Sequence, residues 1–456
     1  MKKLALVLAL LLAGCSHAPK PTYTPPPTTT PQEPVPPSTP PTQAPPEFQP
    51  PSGARGRIDW LDVGIVIDAD SARIGATAGA SVQGVVEVTH LSAGQSLVAR
   101  AASGRVLIQP VPGTRELAIY EVADTLVLVP DSPNSFVTIG AKPYRGELRL
   151  YRSPNGRVTV VNRVGTEEYL RGVLPHEIGR LDQRTIEAGK AQAVAARTYA
   201  LSYVGRRADQ GFDVYATVED QLYGGITDEG PLTDRCVRET SQLVATYNGR
   251  LIRANYFSTC GGVTANVEDV WPESPLPWLR STLDADHEGD TAYCAASPQF
   301  RWTEIWSVPE FLDIVNRNYP RFIGALPPGG AHRLDGVRVT ARSPSGRVAE
   351  LVIDTDIGPL PVHGDSTRRV LVRPASSQGA GGGGTLLRSS LFKIGIVRAR
   401  DGVPIAVVAT GAGYGHGVGL CQWGALEMAR RGRDFHQILG HYFAGIEIKP
   451  ANESKG

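Results

Sequence analysis

The sequence predicts a mixed α+β fold, with β-rich segments packed around one long, buried, alanine-rich helix. Three observations carry that prediction. Residues 183 to 207 read as a continuous helix with Asp182 as its N-cap. Ala188, Ala191, Ala193, Ala195, Ala196 and Ala200 spread around its circumference, and a helix small and apolar on every side is a buried one. Short runs of β-branched residues precede and follow it, separated by Gly, Pro, Asn and Asp turns. A hydrophobic content of 41% is enough for a substantial core.

The first 15 residues form a leader. Two lysines precede an apolar run from Leu4 to Ala13, too short to span a bilayer but suited to a secretory signal. Leu12-Ala13-Gly14-Cys15 resembles a bacterial lipobox, which implies cleavage before Cys15 and diacylation of its sulfur. An ordinary signal peptide with an incidental cysteine is the alternative. Ser16 in the next position resembles lipoproteins sorted to the outer membrane and facing the periplasm, the outer leaflet of the plasma membrane being the other destination. Residues 16 to 56 are rich in Pro and Thr, carry no apolar face and are expected to form a disordered linker. In polyproline geometry such a spacer reaches on the order of 100 Å at ~3.1 Å per residue.

The folded body is expected from residue 57 to 450, as one intertwined unit, with a short tail from 451 to 456. Asp62 to Asp68 is a strand, and further strands are expected at Val85 to Thr89, Leu97 to Arg100, Arg105 to Gln109, Leu117 to Val122, Thr125 to Val129 and Val158 to Asn162. A short helix begins at Thr166. Pro175 disfavours helix at Leu174, so His176 and Glu177 are expected just past its end. Later elements are a helix at Val237 to Thr246, a strand from Leu251 to Phe257, and a helix at Val308 to Asn318 with Pro309 in its first turn. A hairpin around Pro344-Ser345-Gly346, a flexible loop at Gly379 to Gly384, strands at Leu391 to Ile396 and Ile405 to Ala409, and a helix at His436 to Phe443 complete the chain.

The first candidate site lies where the short helix meets the long one. Lys190 and Arg197 fall within about 20° of each other on the helical wheel, on a stripe with Ile186, Val194 and Leu201. Two cations on an apolar stripe are costly unless an acid or a bound ligand meets them. Glu177 is the nearest upstream acid outside the helix's own first turns. Two readings stand: an active site with Glu177 opposite Lys190 and Arg197, or an internal salt bridge locking turn to helix.

Glu-Glu-Tyr-Leu-Arg-Gly-Val-Leu-Pro-His-Glu (167–177) followed by Lys-Ala-Gln-Ala-Val-Ala-Ala-Arg-Thr-Tyr-Ala (190–200) resembles the signature of the SpoIID/LytB family of cell-wall proteins. Asn255 to Trp271 is similar to the family's Ser-Thr-Ser-Gly-Gly block, with Cys260 in place of a commoner Ser. Gly413 to Tyr442 is similar to its C-terminal block. The resemblance covers roughly residues 58 to 450. It implies a peptidoglycan lytic transglycosylase acting on glycan strands, in some members only after stem peptides are removed. Glu177, Lys190 and Arg197 occupy its catalytic positions. The other side of the family implies a non-catalytic, wall-binding enhancer of a cell-wall amidase. A purely structural tether between membrane and wall is a third reading.

The residues weigh on these choices. A formal charge of +1, from 46 basic and 45 acidic residues, and the lack of a basic run with interleaved aromatics argue against a nucleic-acid partner. His176-Glu177 is no zinc-protease motif, because position 180 is Arg. No Gly-x-Ser-x-Gly elbow occurs. Hydrolysis of a glycosidic bond uses two carboxylates, whereas a transglycosylase needs one, which protonates the leaving oxygen and then takes a proton from the substrate's own 6-hydroxyl. That acid must stay neutral, which Lys190 and Arg197 would oppose.

His416, among Gly411, Gly413, Gly415, Gly417 and Gly419, and Gln422 after them are candidates for binding sugar, or His416 bonds within a tight turn. Tyr256, Glu268, Asp269 and Trp271 are expected to line a sugar groove. Cys260 and Cys294 in an oxidising compartment read as a disulfide. With Cys421 and His416 or His287 they instead suit a zinc site; apart from that ion, no cofactor is expected.

Overall fold

The computed structural model describes residues 59–84, 90–102, 105–111, 120–121, 125–373 and 386–454. Cys15, the linker 16–56, the strand expected at Val85 to Thr89 and the loop at Gly379 to Gly384 lie outside these residues; of the strand at Leu117 to Val122 only Tyr120–Glu121 is described, as a strand.

Alternation of apolar and polar residues folds the N-terminal half into two sheets. Among the described residues, one has the strand order Val214–Tyr215, Trp60–Ala69, Val158–Gly165, Glu147–Arg152, Thr125–Pro130, Ala80–Gln83, His90–Leu91. The second is built on Ser71–Ala76 and Ser96–Ala102. Leu148, Leu150 and Val160 from the first sheet and Ile74, Leu97 and Ile108 from the second share one core, all with no exposed surface. Trp60–Ala69 and Val158–Gly165 run antiparallel, Trp60 opposite Gly165, and deliver the chain to helix α1, Thr166–Glu177.

Helix α1 runs through Pro175, so His176 and Glu177 belong to its last turn and do not follow it, contrary to the sequence expectation. Packing overrides the proline: Tyr169, Leu170, Val173 and Leu174 are buried, and Ile178 N–H still bonds Leu174 O at 3.1 Å. Gly179, at φ +73°, then ends the helix in the left-handed conformation that glycine adopts without strain. Helix α2 spans Ile186–Ser202 and is buried on all sides beyond its first turn, as its alanines predict. It starts later than expected because the Asp182 carboxylate folds onto Arg184 N–H (2.9 Å) and Thr185 Oγ1 (3.0 Å), capping a turn.

Helix α3, Pro231–Glu239, ends before the region read as helix through Thr246. Gln242 takes φ +61°, and Leu243–Tyr247 is a strand paired with Glu447–Pro450, the closing strand of the body. Helix α4, Val308–Phe322, opens on Ser307, whose hydroxyl accepts Glu310 N–H. The predicted hairpin appears as Leu334–Arg342 against Val348–Thr355. Helix α5 is Ser366–Val370 and α6 is Gln422–Arg430; α7, Phe435–Tyr442, carries a capping box from Asp434 and Gln437.

The described residues of the body form two hydrophobic cores. The second is made wholly from residues 302–409, with Trp306, Phe311, Val315, Leu351 and Val407 at its centre. The chain leaves the first core after Phe300 and re-enters it at Val418. No helix among the described residues is long and apolar enough to cross a membrane.

Candidate active site

The two motif loops meet Glu177 because of one short parallel pairing. Tyr256 aligns with Leu420 and Phe257 with Cys421. That register sets Tyr256 beside Gln422, the first residue of α6, and both face the end of α1. Gln422 Nε2 lies 3.4 Å from Glu177 Oε2 and 3.4 Å from Gln192 Oε1 of helix α2. Leu222 N–H donates to Glu177 Oε1 at 3.1 Å, and the Tyr256 hydroxyl also bonds the carboxylate. Behind Tyr256, Gln221 donates to its hydroxyl at 2.9 Å and to Ala196 O at 3.2 Å, and accepts from Tyr169 OH at 3.0 Å.

Glu177 itself is half-buried, with Leu222 exposed beside it. Burial pushes its carboxyl above the usual glutamate range, against the lowering effect of the Leu222, Gln422 and Tyr256 bonds. Among the described residues no ion pair opposes that shift. Asp220, in the neighbouring loop, is tied to Arg207 at 2.9 Å and has 1% of its side chain exposed.

Lys190 and Arg197 do not share this site, which corrects the sequence expectation. Arg197, 1% exposed, grips Glu167, Nε 2.8 Å from Oε1 and Nη2 2.6 Å from Oε2. It also donates to Leu243 O at 3.0 Å. Lys190 lies 2.8 Å from both Glu187 and Glu239. The physical reason is helical phase: Gln192 and Ala196 occupy the face toward Glu177, and the cations look toward α3 and the start of α1. Both cations are held in ion pairs, Arg197 with Glu167 and Lys190 with Glu187 and Glu239, and neither pairs with Glu177.

His416 shapes the wall of the site. Its Nδ1 accepts Val418 N–H at 3.1 Å, so Nε2–H donates to Tyr256 O at 3.1 Å. Burial, with Arg368 adding repulsion, pushes its pKa down to about 3, so the ring is neutral. Its ring packs on Trp271 at 5.0 Å and Phe257 at 5.2 Å. The tight-turn reading describes it. Gly413, Gly415, Gly417 and Gly419 all take positive φ around it, and a Cβ at Gly419 would sit 2.1 Å from Asn255 O. Asp269 stands on the turn Val267–Asp269, bonded by Asn266 Nδ2 at 3.0 Å, and Glu268 pairs with Arg280 at 2.7 Å; neither bonds Glu177.

The cysteines depart from the expected disulfide. Cys260 and Cys294 are free thiols with sulfurs 3.4 Å apart, and Cys421 joins them, its sulfur accepting Cys260 N–H at 3.2 Å. Neither His416 nor His287 is with them. Asp284 is, although no sequence signal marked it. Gln192 and Gln221 were missed too: both are buried amides, Gln192 inside the quoted 190–200 motif and Gln221 in a loop outside every motif.

Comparison with known proteins gives the family. The SpoIID family profile, described as Stage II sporulation protein, matches residues 154–247, which hold α1, α2 and α3; a domain of unknown function matches residues 265–419. An uncharacterized protein of Brachyspira hyodysenteriae is 30% identical over 318 residues, covering 69% of this chain and 74% of that protein. Stage II sporulation protein D of Bacillus amyloliquefaciens is 28% identical over 334 residues, covering 69% and 83%. The amidase enhancer of Bacillus subtilis is 28% identical over 304 residues, 61% of this chain but 40% of that protein. The class is thus a cell-wall protein. The chain belongs to the SpoIID/LytB family.

Proposed function

We propose that this protein is a lytic transglycosylase that cleaves peptidoglycan glycan strands to 1,6-anhydro products, with Glu177 as its single acid/base. The observation that carries the reading is the surroundings of Glu177: a half-buried carboxyl raised by burial and bonded to an amide N–H, a carboxamide and a phenol, with no cation and no second carboxylate bonded to it among the described residues. A neutral Glu177 protonates the glycosidic oxygen as the bond to C1 breaks. The resulting carboxylate, held by Leu222 N–H and Tyr256 OH, takes the proton of the substrate's 6-hydroxyl as that oxygen closes on C1. Proton and charge return to their starting state, and no water is consumed. Lys190 and Arg197, committed to acids elsewhere, have no part in this step.

The test is product analysis. Wild-type protein incubated with intact and with peptide-free glycan strands releases fragments one water lighter than hydrolytic ends, and Glu177→Gln lowers that release by about 10² to 10⁴. Release of reducing ends of hydrolytic mass counts against the mechanism. The likeness to the amidase enhancer favours a second reading, a non-catalytic glycan-binding protein that assists a wall amidase. Strand binding and amidase stimulation without any glycan fragment would establish it.

The leader adds a place to this function: a lipid on Cys15 would hold the protein on the outer membrane, facing the periplasm, with residues 16 to 56 as the spacer to the wall. Full release of Cys15→Ala from membranes supports that anchor, and unchanged membrane fractionation defeats it.

A further inference from the structure

The three thiols and Asp284 lie one shell behind the site, and their arrangement is that of a metal centre. Cys260, Cys294, Cys421 and Asp284 each offer a ligand atom within 4.8 Å of all the others, and each is wholly buried. Zinc bound by sulfur at about 2.3 Å in a tetrahedron spaces its sulfurs about 3.8 Å apart. The Cys260 and Cys294 sulfurs stand at 3.4 Å, so small shifts complete that figure. The ligands come from four separate segments: the loop after Tyr256–Phe257, the stretch at Asp284, the turn Tyr293–Ala296 and the strand Leu420–Cys421.

Supporting hydrogen bonds are of the kind that orient metal ligands. Cys260 N–H points at the Cys421 sulfur (3.2 Å) and Gly262 N–H at the Cys260 sulfur (3.4 Å). Tyr442 OH and Cys294 N–H hold the two oxygens of Asp284 at 2.6 and 2.9 Å. Among the described residues no ion pair meets the Asp284 carboxyl, and burial in the charged form needs a cation. A disulfide from Cys260 to Cys294 would leave the Cys421 thiol and the Asp284 carboxyl buried side by side without a cation between them. One cation satisfies all four.

We propose that Cys260, Cys294, Cys421 and Asp284 bind one zinc-class divalent cation. Thiolates select zinc over magnesium or calcium, and four protein ligands close the coordination sphere, so the ion is structural and not a reactant. Its effect reaches the chemistry through position: Cys421 is the N-cap of α6 and precedes Gln422, and its pairing partner Phe257 follows Tyr256. The ion ties together the two strands that frame Glu177.

The experiment uses the full-length chain, purified without reductant from zinc-replete culture. Elemental analysis is expected to find about one zinc per chain, and denaturation with a chelator and alkylating agent to modify Cys236, Cys260, Cys294 and Cys421 alike. Replacing zinc with Co²⁺ should give the strong absorption of cobalt–thiolate bonds, weakened in Asp284→Asn and lost in Cys294→Ser. Chelation should lower the melting temperature. If Cys294→Ser does not fold, metal content and the cobalt spectrum of wild-type protein decide. A Cys260–Cys294 crosslink with no metal overturns the proposal, as do four free thiols that take up neither zinc nor Co²⁺.

Discussion

Arg197 holds Glu167 in a two-pronged ion pair, 2.8 and 2.6 Å, on the side of α2 turned away from Glu177. The pair fixes the start of α1 to α2, and the same guanidinium satisfies Leu243 O. Arg197→Met keeps the packing volume and removes the charge. Loss of one partner of a buried pair costs roughly 3–5 kcal/mol. Glu167, 34% exposed at its side chain, can turn to water, so the cost should fall toward the lower end. The melting temperature should drop, while turnover per folded molecule stays near wild type. A stable Arg197→Met protein without activity would return Arg197 to the catalytic machinery.

The raised pKa of Glu177 predicts the shape of the pH–rate profile. Activity needs the protonated carboxyl, so turnover falls as pH rises through that pKa, later than an ordinary glutamate would allow. Stability carries the same sign. In the window between the ordinary glutamate value, about 4.3, and the raised one, the folded state keeps a proton that the unfolded chain has lost, so stability declines as pH rises. Glu177→Gln should remove that decline. Tyr256→Phe deletes a bond that favours the carboxylate, so its alkaline limb should move to higher pH. An alkaline limb at the ordinary glutamate value in wild type would sink the assignment.

How much of this was readable depends on the length scale of each signal. The buried helix, the hairpin at Leu334–Thr355 and α4 follow local rules: alanines on every face, a Pro-Ser-Gly turn, a Ser307 cap. Helix α6 was not read, because it begins at once after a glycine-rich turn and its N-cap is Cys421. Helical phase put Lys190 and Arg197 on one stripe but could not say which acid that stripe would meet; Glu167 and Glu177 are 10 positions apart, on one helix. Glu177, Tyr256 and Gln422 were found through their motifs, and their joining depends on a strand pairing across about 160 residues that no local pattern encodes. Asp284 was invisible for the same reason.

His416 should behave as a neutral, Nε2-protonated ring. Its pKa is pushed down to about 3, whereas the unfolded chain takes up a proton near 6.5. Stability from this group is therefore complete above about pH 6.5 and is lost as pH falls toward 3. Nitrogen NMR of the labelled ring should show Nδ1 unprotonated down to pH 5, with no titration between 5 and 8. A ring that titrates near 6.5 would mean that the bonds to Val418 N–H and Tyr256 O do not hold in solution.

Gly172 sits in the middle of α1, where alanine would ordinarily improve a helix by about 1 kcal/mol. Here the sign should reverse. A Cβ at this position would lie 2.6 Å from Tyr223 Cε2 and 2.7 Å from Gly225 O. Neither can retreat cheaply: the buried Tyr223 is anchored through its hydroxyl to Asn162 at 3.0 Å, and Gly224 N–H bonds Gly172 O at 3.0 Å. Overpacking of this kind costs about 1–3 kcal/mol and exceeds the propensity gain. Gly172→Ala should therefore lower the melting temperature. It should also lower turnover, because the strand of loop pushed away carries Leu222, whose N–H holds Glu177 at 3.1 Å. A variant with unchanged or higher melting temperature would show that the loop packs more loosely on α1 than these distances require.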